Sequence, residues 1–138
     1  MKLFDTYLAE GIGYEKLFNF QSWRIARLNY IEELDIEHIN FIECHLETDE
    51  VFVLLNGQCH MFLTKDQEHK TFEYFSMEPF KIYRIPKGVY HAHALSKDAQ
   101  LLIIEEENTC DGNSHRIYLN EEEMQTIKKL ALGAKYDL

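Results

Sequence analysis

The chain has 138 residues, 46% of them hydrophobic and 13% aromatic, which is the size and composition of one folded domain with a hydrophobic core. Its formal net charge of −10 disfavours nucleic acid and anionic membranes as partners, because both repel an acidic surface. Three cysteines lack zinc-finger or CxxC spacing, and acidic residues stand where a signal peptide is apolar, so we expect a cytoplasmic protein.

The first twenty residues have the weakest pattern in the chain. Residues 3–20 mix apolar and polar positions around two glycines, which predicts a short helix, a turn and a second short helix. From Trp23 onward, side chains alternate with the two-residue period of a strand. Further strands are predicted at about 37–46, 50–56, 58–64, 70–76, 80–85, 91–95, 99–105 and 115–119. Many short strands separated by turns predict an all-β sandwich or barrel.

Two features of residues 50–64 bear on how the strands pack. Asn56-Gly57 lies between two apolar runs, which predicts a β-hairpin. Residues 51–55 are apolar at every position, as expected for a strand that is covered on both faces. One face would line the interior of a barrel, and the other would pack on a terminal helix or on a second subunit.

The C-terminal residues predict a helix over about 121–132. Asn120 followed by three glutamates is a capping box, with acidic side chains at the positive end of the helix dipole. Gly133 is a natural end for the helix. Its apolar face is formed by Met124, Ile127, Leu130 and Ala131. We expect this helix to pack on the outside of the β structure.

Two short segments carry the residue types that bind metals. Side chains two apart on a strand share a face, so Glu43 and His45 point the same way, as do His91 and His93. Glu50 opens the next strand, and a short turn can bring it beside the first pair. If both pairs face one interior, two imidazoles and two carboxylates meet in a single cavity. Such a set suits a divalent transition metal such as iron, manganese, zinc or nickel. The predicted ligands are Glu43, His45, Glu50 and His91.

Without an ion, the same side chains would still form an ionisable cluster. Glu43 and Glu50 would repel each other, and one of them would hold a proton. His93 is expected to line the same cavity, either carrying a proton or orienting another group. The adjacent Cys44 and His45 suggest a Cys–His nucleophile, but strand alternation directs their side chains to opposite faces.

These segments resemble the two motifs of the cupin superfamily, and the resemblance covers roughly residues 23–109. The first motif usually reads G(X)5HXH(X)3–4E(X)6G, and residues 43–57 read E-C-H-(X)4-E-(X)6-G. The second usually reads G(X)5PXG(X)2H(X)3N, and residues 86–91, PKGVYH, match its central part. The resemblance implies a small single-domain bacterial cupin of the cupin-2 type. Its double-stranded β-helix, or jelly-roll barrel, would span about 23–119, between the short N-terminal helical segment and the C-terminal helix.

The resemblance also implies roles for the residues at matching positions. His45, Glu50 and His91 stand at three of the four usual metal-ligand positions. Glu43 stands at the fourth, where the family normally has histidine. A carboxylate can replace an imidazole as a ligand, so the resemblance implies a metal site with an altered metal preference. Small cupins commonly form dimers through a sheet face, which implies a homodimer here.

Two functions of different classes remain open. The first is a metal-dependent enzyme acting on a small polar metabolite such as a sugar or a carboxylate. It would be an isomerase, an epimerase or a dioxygenase, with His93 as the proton carrier. The second is a non-catalytic module that binds or senses a small molecule, with or without a metal. The acidic surface argues against a DNA-binding regulator.

Overall fold

The computed structural model of the chain describes residues 2–66, 68 and 71–136, and these are mainly antiparallel strands followed by one helix. The prediction of a mainly β chain with a C-terminal helix is confirmed. The first residue of the strand predicted at 70–76 lies outside the described residues. The strands are β1 (Tyr14–Phe20), β2 (Trp23–Asn29), β3 (Phe41–His45), β4 (Glu50–Asn56), β5 (Cys59–Thr64), β6 (Glu73–Ser76), β7 (Ile82–Ile85), β8 (Tyr90–Leu95), β9 (Gln100–Glu106) and β10 (Ser114–Tyr118). The helix is α1 (Glu121–Tyr136), and two short 3-10 turns cover Glu32–Leu34 and Asp111–Asn113.

The strands form two antiparallel sheets of five strands each. The first sheet has the order β1-β2-β9-β4-β7, and the second has the order β10-β3-β8-β5-β6. Side chains from both sheets meet in one apolar core, in which Phe52, Leu54, Met61 and Leu101 are fully buried. A charged side chain between these sheets is removed from water, so it must be stabilised there by an opposite charge or by hydrogen bonds.

The helical segment predicted within residues 3–20 is wrong. Residues 14–20 form β1, the edge strand of the first sheet, which pairs antiparallel with β2. The pairing shifts register between Lys16 and Phe18, as it does at a β-bulge. An extra residue in a strand interrupts the alternation of its side chains, so the two-residue period that identifies a strand is lost here.

The hairpin predicted at Asn56-Gly57 is also wrong. β4 pairs with β7 and β9, whereas β5 pairs with β6 and β8, so this turn carries the chain from one sheet to the other. Gly57 has a φ of 75°, and a Cβ atom there would lie 2.7 Å from the Cα atom of Ala99. The dipeptide therefore allows a tight turn with a close backbone approach, but it does not determine which strands pair.

The helix α1 begins with the predicted capping box. The backbone N–H of Asn120 donates to Glu123 at 2.9 Å, and the backbone N–H of Glu123 donates to Asn120 at 2.8 Å. Ile127 and Ala131 are buried against the outer face of the second sheet, as predicted. The helix runs through Gly133 rather than ending there. Among the described residues, no helix has the length and apolar character needed to cross a bilayer.

The outer face of the first sheet is covered in part by N-terminal residues, because Asn29 of β2 is buried there and donates to the carbonyls of Ala9 and Gly11. Val51, Val53 and Leu55 of β4 are half-buried there, while Phe52 and Leu54 point into the core. α1 packs on the other sheet, so the predicted contact of this face with the C-terminal helix is wrong. The homodimer stays a prediction.

Candidate metal centre

Three of the four predicted ligands meet between the two sheets. His45 ends β3, Glu50 opens β4 and His91 lies in β8, so both sheets contribute to the centre. Glu50 Oε1 lies 3.2 Å from Nε2 of His45 and 2.9 Å from Nε2 of His91. One ligand atom from each residue lies within 4.8 Å of the others. All three residues are buried. The sequence spacing thus brings these three side chains to one point.

Each imidazole in the centre is held by a contact at Nδ1, the ring nitrogen that does not face Glu50. Nδ1 of His91 lies 3.2 Å from the carbonyl oxygen of Val89, and Nδ1 of His45 lies 2.8 Å from the hydroxyl oxygen of Ser114. A carbonyl oxygen only accepts, so His91 carries a proton on Nδ1. Both rings therefore turn Nε2 toward the carboxylate between them.

This arrangement fits a divalent metal ion. When the imidazoles are neutral with their protons on Nδ1, two nitrogen lone pairs and a carboxylate oxygen converge, and a cation between them relieves the repulsion. Two imidazoles and one carboxylate form a donor set that iron, manganese, zinc and nickel all accept. Three protein ligands also leave coordination positions for a small molecule.

Charge in the metal-free centre is concentrated on Glu50. Burial works to raise the pKa of Glu50, but hydrogen bonds from His45 and His91 hold it well below the usual value. Burial opposes protonation of His45, yet its contact with Glu50 raises the pKa of the imidazole above the usual value. The carboxylate and the two rings thus stabilise one another, which keeps a negative charge inside the protein.

Glu43, the fourth predicted ligand, lies outside this group. Its Oε2 accepts hydrogen bonds from Nε and Nη2 of Arg116 at 3.3 and 3.1 Å. Arg116 stands directly opposite Glu43 in the β10–β3 register, and its guanidinium lies 3.9 Å from the ring centre of Phe41. Sequence spacing could not include this competing cation, because β10 lies seventy residues further along the chain. A ligand role for Glu43 stays a prediction.

His93, the predicted proton carrier, lies in the cavity wall beside the centre. Its ring centre is 6.2 Å from that of His91 and 5.4 Å from that of Phe52. Its Nδ1 is enclosed and has no hydrogen-bond partner within the described part of the chain. Burial, then the nearby His91, lowers the pKa of His93 to about 4. At neutral pH the ring is therefore uncharged, and its surroundings disfavour the protonated form.

Glu105 is a second buried carboxyl group beside the centre, and the sequence analysis missed it. It is 6% exposed, on the inward face of β9. Burial, then the neighbouring Glu50, raises the pKa of Glu105 to about 7, against the opposite effect of Arg24. The available signal was periodicity, because Glu105 continues the inward series of Leu101 and Ile103.

Arg24 holds Glu105 and the following loop together. Its Nη2 donates to Glu105 Oε1 at 2.7 Å, and the Tyr14 hydroxyl donates to the same oxygen at 3.1 Å. The guanidinium also donates to the backbone carbonyls of Glu107 and Thr109, at 2.9 and 3.1 Å. Glu105 Oε2 is buried, and no N–H or O–H group of the described residues outside the acidic pair donates to it. One oxygen of this carboxyl group is thus fixed by Arg24 and Tyr14, while a hydrogen bond shared with Glu50 helps to raise the pKa of Glu105.

The ligands, Glu105 and His93 line a cavity of about 410 Å³ between the sheets. This volume lies within the range of small-molecule sites. Apolar side chains such as Leu28, Ile39 and Ile103 form part of the wall. Cys44 is buried on the opposite face of β3, beneath α1. The alternation argument against a Cys–His nucleophile is therefore confirmed.

Neither a protein-family model nor a curated protein sequence matches the chain. Solved structures do match. A cupin-2 domain protein from Shewanella frigidimarina aligns with a TM-score of 0.51 and 20% identity, over 76% of this chain and 86% of that chain. The chain has a cupin-like fold.

Two further neighbours align over more of this cupin-like chain. The BH2720 protein from Bacillus halodurans has a TM-score of 0.61 at 13% identity and covers 91% of this chain and 94% of its own. A variant of Pac13 from Streptomyces, with uridine bound, has a TM-score of 0.59 at 10% identity and covers 89% and 98%. At these identities the likeness establishes the fold alone.

Loss of the Arg24 side chain is expected to destabilise the protein strongly. Arg24→Met leaves Glu105 buried without its cation, and breaking a buried pair in this way costs about 3–5 kcal/mol of unfolding free energy. Without Arg24, the pKa of Glu105 rises further above its unfolded value, so stability is retained at low pH and lost as pH rises through the folded pKa. Urea unfolding at pH 5 and pH 8 should give the larger loss at pH 8.

The matched control for this measurement is Lys16→Met. Lys16 pairs with Glu107 at 2.7 Å, but both side chains are partly exposed. An exposed pair contributes about 1 kcal/mol or less, with little dependence on pH in this range. Equal losses in the two variants, or a larger loss for Arg24→Met at pH 5, would contradict the assignment of Glu105 as a buried, Arg-paired carboxyl group.

Proposed function

We propose that this chain binds a divalent transition metal ion through His45, Glu50 and His91 and acts on a small polar molecule in the adjoining cavity. The observation that carries the proposal is the convergence of two ring nitrogens and one carboxylate oxygen, all buried, within 4.8 Å. Burying lone-pair-bearing nitrogen and oxygen atoms without a partner is unfavourable. A divalent cation is a partner that both imidazole nitrogens and the carboxylate oxygen can bind at once.

When bound, the metal supplies a Lewis acid that polarises a carbonyl or hydroxyl group of the substrate. The chain itself supplies two groups that can exchange protons beside it. His93 and Glu105 both line the cavity, and Glu105 shares a hydrogen bond with the ligand Glu50. Ionisable side chains beside a candidate metal centre favour an enzyme over a passive binding module. Proton transfer between substrate atoms, as in an isomerase or epimerase, is the reaction class that these two residues support best. A dioxygenase is the alternative if the resident metal is iron.

The substrate that fits this cavity is a small polar metabolite such as a sugar or a carboxylate. A volume of about 410 Å³ accommodates a molecule of that size. The mixture of apolar wall and polar groups suits a compound that has both a hydrophobic face and hydroxyl groups. Pac13, a neighbour in fold, is a nucleoside dehydratase and was solved with uridine, a sugar-containing molecule. This neighbour supports a sugar-containing substrate.

We also propose one jelly-roll domain that forms a homodimer in the cytoplasm. The two five-stranded sheets would be the halves of the barrel, with α1 packed on its outside. Half-buried apolar side chains on the outer face of the first sheet support a contact with a second copy, and they are Val51, Val53, Leu55, Leu102 and Ile104. The three free cysteines support a reducing compartment.

Metal content after purification without chelator tests the proposal. His91→Ala and Glu50→Gln each remove one of the converging ligands and should lower the bound metal at least about tenfold, measured by inductively coupled plasma mass spectrometry. Glu43→Gln is the matched control, because Glu43 contacts Arg116 rather than the other ligands. We expect it to keep the wild-type metal content.

Two outcomes of the metal measurement would change the account. Wild-type metal content in both His91→Ala and Glu50→Gln, with folding intact by circular dichroism, would refute the centre. Loss of metal from Glu43→Gln would instead make Glu43 the fourth ligand.

Turnover separates an enzyme from a binding module. Metal-loaded protein is screened against sugars, sugar acids and nucleosides, and products are detected by NMR. For an active substrate, His93→Ala should lower kcat by about a hundredfold or more if His93 moves a proton, with metal content unchanged. Wild-type turnover in this variant would remove His93 from the mechanism. Binding of a compound without its conversion, across the whole panel, would favour the non-catalytic module.

A further inference from the structure

Ser114 is a residue outside the candidate ligand set whose hydroxyl contacts one of the ligands. It opens β10 and pairs directly opposite His45 in the β10–β3 register. Its Oγ lies 2.8 Å from Nδ1 of His45 and 2.8 Å from the carbonyl oxygen of Cys110. A half-buried serine with these two contacts forms a bridge between the centre and the loop beyond β9.

The direction of both hydrogen bonds follows from the donors available. The Ser114 hydroxyl has one proton, and the carbonyl of Cys110 can only accept, so Ser114 donates to Cys110. The same hydroxyl must then accept from His45, which places a proton on Nδ1 of that ring. A neutral His45 therefore presents the lone pair of Nε2 to the centre. This is the tautomer that a metal ligand requires at Nε2.

The acceptor at the far end of this bridge is itself held in place. The side chain of Asn113 accepts from the backbone N–H of Cys110 at 2.9 Å and donates to the carbonyl of Asn108 at 3.0 Å. The backbone N–H of Asn113 also reaches the Cys110 carbonyl, at 3.3 Å. The Ser114 hydroxyl therefore donates to a carbonyl that other hydrogen bonds hold in place.

The other histidine of the centre contacts backbone, not a side chain, through its Nδ1 atom. Nδ1 of His91 donates to the carbonyl of Val89, two residues away, and no side-chain substitution removes that acceptor. His45 differs because its acceptor is a side chain. The orientation of the centre is thus open to mutation at one position, Ser114, without changing any ligand.

We propose that Ser114 is a positioning residue of the metal centre, which fixes the tautomer and the ring orientation of His45. This inference rests on the metal site of the proposed function. Partners of this kind typically change metal affinity by about 10–100-fold when they are removed. Ser114 lines the cavity but is not one of the three ligands, and its contact with the centre is the hydrogen bond with His45.

Cobalt binding to the full chain measures this effect. Ser114→Ala should weaken the affinity for Co²⁺ by about tenfold or more and shift the visible absorption bands of the bound ion. Ser114→Thr keeps a hydroxyl at the same position in a strand, where threonine is favourable, and should restore both. Thermal unfolding of the metal-free variants checks that each is folded.

Ser96→Ala is the matched control. Ser96 also bridges two groups through its hydroxyl, accepting from the backbone N–H of Gln58 at 2.8 Å and donating to Asp98 at 2.7 Å. It lies at the far end of β8, beyond the last residue of that strand. Its removal should leave cobalt affinity at the wild-type value. Equal weakening by Ser96→Ala and Ser114→Ala would overturn the inference, because it would make the effect one of general stability.

The tautomer of His45 provides a second readout that needs no metal. Long-range ¹H–¹⁵N NMR spectra of the metal-free protein, at a pH where the ring is neutral, should show the proton on Nδ1 beside Ser114 rather than on Nε2, where Glu50 competes for it. Ser114→Ala should give a mixture of tautomers, and Ser114→Thr should return the wild-type pattern. An unchanged tautomer together with unchanged cobalt affinity in Ser114→Ala overturns the inference. If the wild-type protein binds no cobalt, the proposed function fails, and the tautomer measurement alone decides whether Ser114 orients His45.

Discussion

One buried carboxylate, that of Glu50, accounts for the arrangement of the whole site. It opens β4 at the interface between the sheets, where an unpaired charge would be strongly destabilising. His45 and His91 come from the opposite sheet and supply the two contacts that keep its pKa low. The site therefore joins the two sheets chemically as well as by packing, and it exists only when both are correctly aligned.

Around this carboxylate, two other acidic side chains of the cavity are each paired with an arginine. Arg24 forms an ion pair with Glu105 on the first sheet, and Arg116 forms one with Glu43 on the second. These pairs limit the repulsion that several carboxylates in one cavity would otherwise produce. They also leave the centre itself with two imidazoles and one carboxylate. Such a set provides ligands for a metal and leaves positions for a substrate.

Sequence spacing was sufficient for residues that act within one or two neighbouring strands. His45 and Glu50 are five positions apart, and the second motif identifies His91 by its turn residues. Spacing does not predict side-chain contacts that are made by a strand distant in sequence. Arg116, which pairs with Glu43, lies seventy-three residues from it in sequence, and Ser114 lies sixty-nine residues from His45. Strand register, which no single-sequence pattern contains, creates both contacts.

Local patterns failed for related reasons at β1 and at the turn after β4. A register shift interrupts the alternation in β1, so the local sequence pattern does not predict a strand there. The turn at Gly57 has the expected left-handed backbone, but the strands that flank it belong to different sheets. In β1 the irregular pairing with β2 decides the structure, and at the turn the pairing of each flanking strand within its own sheet decides it. Neither pairing is contained in the local sequence pattern.

The most direct test of the account is an anomalous diffraction map from crystals of the protein loaded with cobalt. The account predicts one strong peak between the sheets, about 2.0–2.3 Å from Nε2 of His45, Oε1 of Glu50 and Nε2 of His91. A peak elsewhere, or none at this position while these three side chains keep their contacts, would contradict the claim that they form a metal centre.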